Sequence, residues 1–108
     1  MPLSQKITPV YKIIYDGYYY LMNTKQKKVY EKIFKDPVLC DIEWSEIETL
    51  LKSLGANISE GNGSRVRIEL NGERAVFHRP HPEKVTDKGA VKSMRKFLDN
   101  AGIKNDEL

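Results

Sequence analysis

The sequence is poor in cysteine, histidine and long apolar runs. Its 108 residues include one cysteine, one tryptophan and two histidines. A single cysteine, Cys40, forbids an intrachain disulfide and fits a reducing cytoplasm. It stands in the apolar run Val38-Leu39-Cys40 and reads as a small core residue rather than a nucleophile. No segment approaches the roughly 20 apolar residues of a membrane-spanning helix. Lys6, Lys12 and Asp16 interrupt the N-terminal segment and no small-residue cleavage site follows, so a signal peptide is not expected. The chain has no P-loop, dinucleotide fingerprint, nucleophile elbow or paired-carboxylate pattern. His78 and His81 have no cysteine nearby and carboxylates only in flanking turns. That set falls short of a zinc site, and no metal or cofactor is expected. The length is that of a single domain and excludes a large multi-domain enzyme.

What is present is unevenly distributed. The net charge of +3 resolves into +1 over residues 1–22, +3 over 23–40, −4 over 41–60 and +3 over 61–108. Five of the six tyrosines (Tyr11, Tyr15, Tyr18, Tyr19, Tyr20) fall in the first 20 residues. That segment is apolar and β-prone, with Asp16-Gly17 as a hairpin turn signal. Either residues 1–21 add an edge hairpin or an oligomer contact, or they lie outside a natural start at Met22.

Residues 23–40 read as a helical extension. Thr24 is placed as the N-cap of a helix over 24–35, with Val29, Tyr30, Ile33 and Phe34 as its apolar stripe and Pro37 as its stop. Its other face carries Lys25, Lys28, Lys32 and Lys35, the pattern of a solvated face. A domain over 41–108 follows. Ser45 and Glu48 match a capping box. Ile47, Leu50, Leu51 and Leu54 form a stripe that Gly55 closes. Ala56 to Glu60 suits a short strand, and Gly61-Asn62-Gly63-Ser64 a turn.

The strongest local pattern is Arg65-Val66-Arg67-Ile68-Glu69-Leu70, then Asn71-Gly72, then Glu73 to His78. Asn-Gly favours a two-residue type I′ turn, which fixes the register by counting outward. Arg65 then opposes His78, Arg67 opposes Val76 and Glu69 opposes Arg74. Val66, Ile68, Leu70, Ala75 and Phe77 share the core face. Arg65, Arg67, Glu69, Arg74, Val76 and His78 share the open face. Prolines 80 and 82 end the sheet. Thr86 or Asp87 caps a last helix with Val91, Met94, Leu98 and Ala101 inward, Lys88, Lys92, Arg95 and Lys96 outward or near its start, and Gly102 as its stop. Helix, three antiparallel strands and helix make an α+β two-layer sandwich with one bare, basic sheet face.

Residues 61–104 hold ten Lys/Arg against five Asp/Glu. Arginine forks bind phosphate bidentately, and imidazole is the side chain that moves protons near neutral pH. Arg65, Arg67, Arg74 and His78 on the open face, continued by Arg79 and His81, therefore suit a phosphodiester partner. Lys88 and Lys92 add to this, because a helix start favours an anion.

The ordered set Trp44 with Ile47, Leu50 and Leu51, Leu54-Gly55, Gly63-Ser64, the basic hairpin, Pro80-His81-Pro82, Lys88-Gly89 and Asn100-Ala101-Gly102-Ile103 resembles the HicA toxin family, over about residues 42–103. The resemblance implies a double-stranded-RNA-binding-domain-like α-β-β-β-α fold. It also implies the toxin of a type II toxin–antitoxin pair: a metal-independent endoribonuclease that cleaves mRNA and is neutralised by a HicB-like antitoxin. The family's catalytic histidine directly follows the Gly-Ser pair, whereas here Arg65 follows Gly63-Ser64. A guanidinium stays protonated and cannot act as a base. His78, opposite Arg65, is the substitute for proton transfer, with His81 as a second acid. Arg65 and Arg67 would hold the phosphate. Gly63, Ser64, Arg79, Lys88 and Lys92 complete the expected RNA-binding set. Two alternatives stand beside this reading: a non-catalytic RNA- or antitoxin-binding module on the same fold, and a pure protein-interaction module.

Overall fold

The computed structural model describes residues 22–103, so the Asp16-Gly17 hairpin expected in the N-terminal segment lies outside the described residues. Thr24–Ile33 forms helix α1, Trp44–Ser53 helix α2 and Lys88–Asn100 helix α3. Between α2 and α3 lie strands β1 (Asn57–Glu60), β2 (Arg65–Leu70) and β3 (Glu73–His78). They make one antiparallel sheet in the order β1-β2-β3. From α2 onward the order is α-β-β-β-α, as expected.

The hairpin register agrees pair by pair with the count outward from Asn71-Gly72, from Leu70 opposite Glu73 to Arg65 opposite His78. Asn71 and Gly72 both take positive φ (52° and 86°), as a type I′ turn requires. Alternation then decides the faces. Val66, Ile68, Leu70 and Phe77 are buried, Ala75 packs half-buried against them, and Arg65, Arg67, Arg74, Val76 and His78 are exposed. Ile47, Leu50 and Leu51 of α2 and Val91, Met94 and Leu98 of α3 complete the core. Trp44, Phe77 and Phe97 line up within it, with ring centroids 5.6 and 6.3 Å apart. Phe97 belongs to this row although its position lies at the edge of the helical stripe read from the sequence.

Helix starts depart from the sequence reading. Asn23, not Thr24, caps α1, in a capping box with Gln26 at 2.8 and 3.0 Å. The Ser45/Glu48 capping box does not form. Residues 42–44 pair with 84–86 through Trp44 N–H to Lys84 O (3.0 Å) and Thr86 N–H to Ile42 O (2.8 Å). That pairing brings the start of α2 forward to Trp44, and Glu43 at its N-cap makes no side-chain bond. At α3 the cap is Asp87, whose Oδ1 accepts from Ala90 N–H at 2.8 Å, while Thr86 is buried.

Two residues expected on particular sides are on others. Cys40 is exposed; Val38 and Leu39 are half-buried, and Ile42 supplies the fully buried side chain of that segment. Arg95 is half-buried rather than outward, because it closes the end of α1. Its Nε donates to Ile33 O, its Nη2 to Lys35 O, and its Nη1 to Asp36 Oδ1 at 3.2 Å. A cation on the last carbonyls of a helix satisfies acceptors that the helix leaves open. Helix α1 packs against both α2 and α3, and Met22, Val29, Tyr30 and Ile33 join the same core cluster. Helix α1 thus adds Val29, Tyr30 and Ile33 to the core of the sandwich.

Candidate nucleic-acid interface

The bare face of the sheet is a grid set by the two strand registers. Arg65 and His78 form the first row. Ser59, Arg67 and Val76 form the second, and Asn57, Glu69 and Arg74 the third. Successive rows are two residues apart, about 6.6 Å along the strands.

The first row adjoins the turn at Gly61-Asn62-Gly63-Ser64. Gly63 takes φ +61°, a conformation side chains disfavour, and a Cβ on Gly61 would stand 3.0 Å from Arg65 Cβ. Both glycines let the turn fold tightly onto the start of β2. The turn brings Ser64 to the end of β3, where Ser64 Oγ lies 3.3 Å from His78 Nδ1. Both residues are exposed. If Nδ1–H donates to Ser64, Nε2 is the ring's acceptor; if the hydroxyl donates to Nδ1, Nε2 carries the proton. The contact therefore couples the tautomer to Ser64 and leaves Nε2 for a substrate. Arg65 is exposed opposite His78, and Arg67 Nη1 donates to Glu60 O at 3.0 Å.

Arg79 has a different task from the phosphate contact expected of it. Its Nε and Nη2 donate to the two carboxylate oxygens of Glu48 at 2.7 and 3.3 Å, and its Nη1 donates to Glu60 Oε1 at 2.6 Å. Its backbone N–H donates to Ser64 O at 2.9 Å. Glu48 also accepts from Trp44 Nε1. The carboxylates hold the Arg79 guanidinium well above its ordinary pKa, and Arg79 pulls the Glu60 carboxyl below its own. Arg79 is a latch joining α2, β1, the Ser64 turn and the end of β3, with its charge neutralised by its partners. Sequence reasoning missed this because the partners lie 31 and 19 residues away.

His81 is exposed in the loop after β3 and makes no hydrogen bond or ion pair among the described residues. Lys88 and Lys92 are exposed on α3, a helix that covers the opposite, core side of the sheet. Asp87 already serves the Ala90 N–H there. The structure therefore gathers Gly63, Ser64, Arg65, Arg67 and His78 at one end of the open face. Arg79 adjoins them through its backbone bond to Ser64 O while its guanidinium is held by Glu48 and Glu60, and Lys88 and Lys92 stand on α3. Among the described residues no group of three or more His, Cys, Asp or Glu could hold a metal ion, and no helix is long and apolar enough to cross a membrane.

The family model described as HicA toxin of bacterial toxin-antitoxin matches residues 44–103, more than half of the chain. The chain belongs to the HicA toxin family. Comparison with curated proteins and with solved structures gave no match. The HicA match begins at Trp44, where α2 begins, and ends at Ile103, whose N–H closes α3 on Leu98 O at 2.8 Å. It covers both helices of the sandwich and the whole sheet. Membership in the HicA family makes this a toxin of the toxin–antitoxin kind and implies a cognate antitoxin.

Proposed function

We propose that the protein is an mRNA-cleaving endoribonuclease that works without a metal ion, restrained by a HicB-like antitoxin. The observation that carries this reading is the pairing of His78 with Arg65 across the hairpin, with Ser64 on the imidazole. Arg65, the residue after Gly63-Ser64, cannot accept a proton, but it can hold the scissile phosphate and offset its developing charge. His78 Nε2 takes the proton from the ribose 2′-hydroxyl. The 2′-oxygen bonds to phosphorus as the bond from phosphorus to the 5′-oxygen breaks, and the departing oxygen takes up a proton. His81 is the second candidate acid for that last transfer. Arg67 adds charge beside the phosphate, while Lys88 and Lys92 offer contacts to more distant parts of the RNA.

Induction of the full chain in a bacterial host, with growth and total mRNA followed, tests the reading. Growth arrest with loss of mRNA is expected, and co-expression of the cognate antitoxin should relieve both. Undisturbed growth with intact mRNA would reject the ribonuclease reading.

A further inference from the structure

The second and third rows of the open sheet face enclose a shallow groove of about 550 Å³ lined by Asn57, Ser59, Arg67, Glu69, Arg74 and Val76. We propose that this groove is a subsite for one unpaired nucleobase of the RNA, next to the nucleotide at His78, and that it favours a base bearing an exocyclic amino group. The inference rests on the ribonuclease reading for the place of His78 and adds what is recognised beside it.

The charge of the rows separates backbone from base. The first row holds Arg65 and His78 with no carboxylate, which suits a phosphate. The third row holds Glu69 and Arg74 with Nε and Oε2 4.0 Å apart, a locally neutral pair. A phosphate placed there would face the Glu69 carboxylate. A neutral heterocycle would not. Between these rows stands Val76, 55% exposed and the one large hydrophobic residue left in the open among the described residues. Its methyl groups give an apolar floor inside an otherwise polar face. Unstacked bases are held by guanidinium planes against their flat side and hydrogen bonds at their edge, and Arg67 and Arg74 stand beside the Val76 patch. Arg67 is steadied for this role by its bond to Glu60 O. Arg74 is free to adjust, its side chain being 80% exposed.

The edge of the base meets Asn57, Ser59 and Glu69. A carboxylate only accepts hydrogen bonds, so Glu69 selects an amino group, as acidic side chains do with cytosine N4. Uracil offers a carbonyl at that position and is disfavoured. The base must be unpaired, because its hydrogen-bonding edge has to reach a sheet surface that cannot enter a duplex groove.

The test uses full-length protein and short single-stranded oligonucleotides of adenine, cytosine or uracil, each as cleavable RNA and as its 2′-O-methyl form. The 2′-O-methyl form cannot be cut by 2′-hydroxyl attack, so binding is read whether or not the enzyme is active. Binding of the adenine and cytosine forms about tenfold tighter than the uracil form is expected. Glu69→Ala should bring that ratio to near one. Val76→Asp should weaken all three about tenfold. Equal binding of the three by the unaltered protein, or unchanged ratios and affinities in both variants, would overturn the subsite. Cleavage of the RNA forms with base-independent binding would reject the subsite alone. Base-dependent binding with no cleavage would reject the ribonuclease reading and leave the subsite.

Discussion

His78→Ala is expected to lower RNA cleavage by roughly 100- to 10,000-fold, the usual contribution of a positioned acid–base group, while RNA affinity changes little. The reasons lie in the hairpin. Its register holds His78 across from Arg65, and Ser64 Oγ stands 3.3 Å from Nδ1. Nothing in the exposed imidazole's surroundings makes it a structural support, so alanine should leave the thermal transition in place. Most of the affinity for RNA comes from phosphate contacts with arginine and lysine, which the substitution spares. His81→Ala is the natural companion, since a comparable loss there would bring both imidazoles into the proton transfers and an unchanged rate would remove His81 as the acid. Cleavage by His78→Ala at the parent rate would remove His78 from the chemistry, whatever the binding data show.

The second large effect concerns stability. Tyr30→Ala is expected to destabilise the whole domain by roughly 3–4 kcal/mol, in the range for deleting a buried aromatic ring. Tyr30 is fully buried and lies 5.1 Å from Phe34, ring to ring. It lies outside the residues matched by the HicA family, yet α1 contacts both helices of the sandwich. Arg95 fastens the end of α1 to α3 as well. A domain of this size is stable by only about 5–15 kcal/mol, so the loss is a large share of the total. Chemical denaturation followed by far-UV circular dichroism should show one cooperative transition shifted to lower denaturant. A shift below about 1 kcal/mol, or a separate early transition for α1, would show that α1 is an appendage with its own stability.

The hairpin was legible in the sequence because two local rules agree on it. Asn71-Gly72 sets the turn, and strict alternation on both sides sets the faces. The opposition of Arg65 and His78, and with it the centre of the candidate site, follows from those two rules. Residues fixed by distant partners were not legible. Ser45 and Glu48 have the spacing of a cap, but pairing of 42–44 with 84–86 moves the helix start. Glu48 then faces Trp44 and Arg79. Arg79 and Arg95 look like members of a basic surface because a sequence shows their charge but not the carboxylates and carbonyls that bind it. Cys40 follows two apolar residues, yet the chain turns it outward and buries Ile42 instead. The groove around Val76 required the register of β1, which the four-residue turn at Gly61-Asn62-Gly63-Ser64 does not fix by its residue types as the two-residue Asn71-Gly72 turn fixes that of β3.

The most direct test of the central claim is the chemistry of the cut ends. Purified protein should be incubated with a single-stranded mRNA fragment in excess chelator and the products analysed by mass spectrometry. Attack by the ribose 2′-hydroxyl must leave a 2′,3′-cyclic phosphate on one fragment and a 5′-hydroxyl on the other, and those ends are expected without added metal. Intact RNA, or fragments ending in a 5′-phosphate and a 3′-hydroxyl, would contradict the mechanism built on His78 and Arg65.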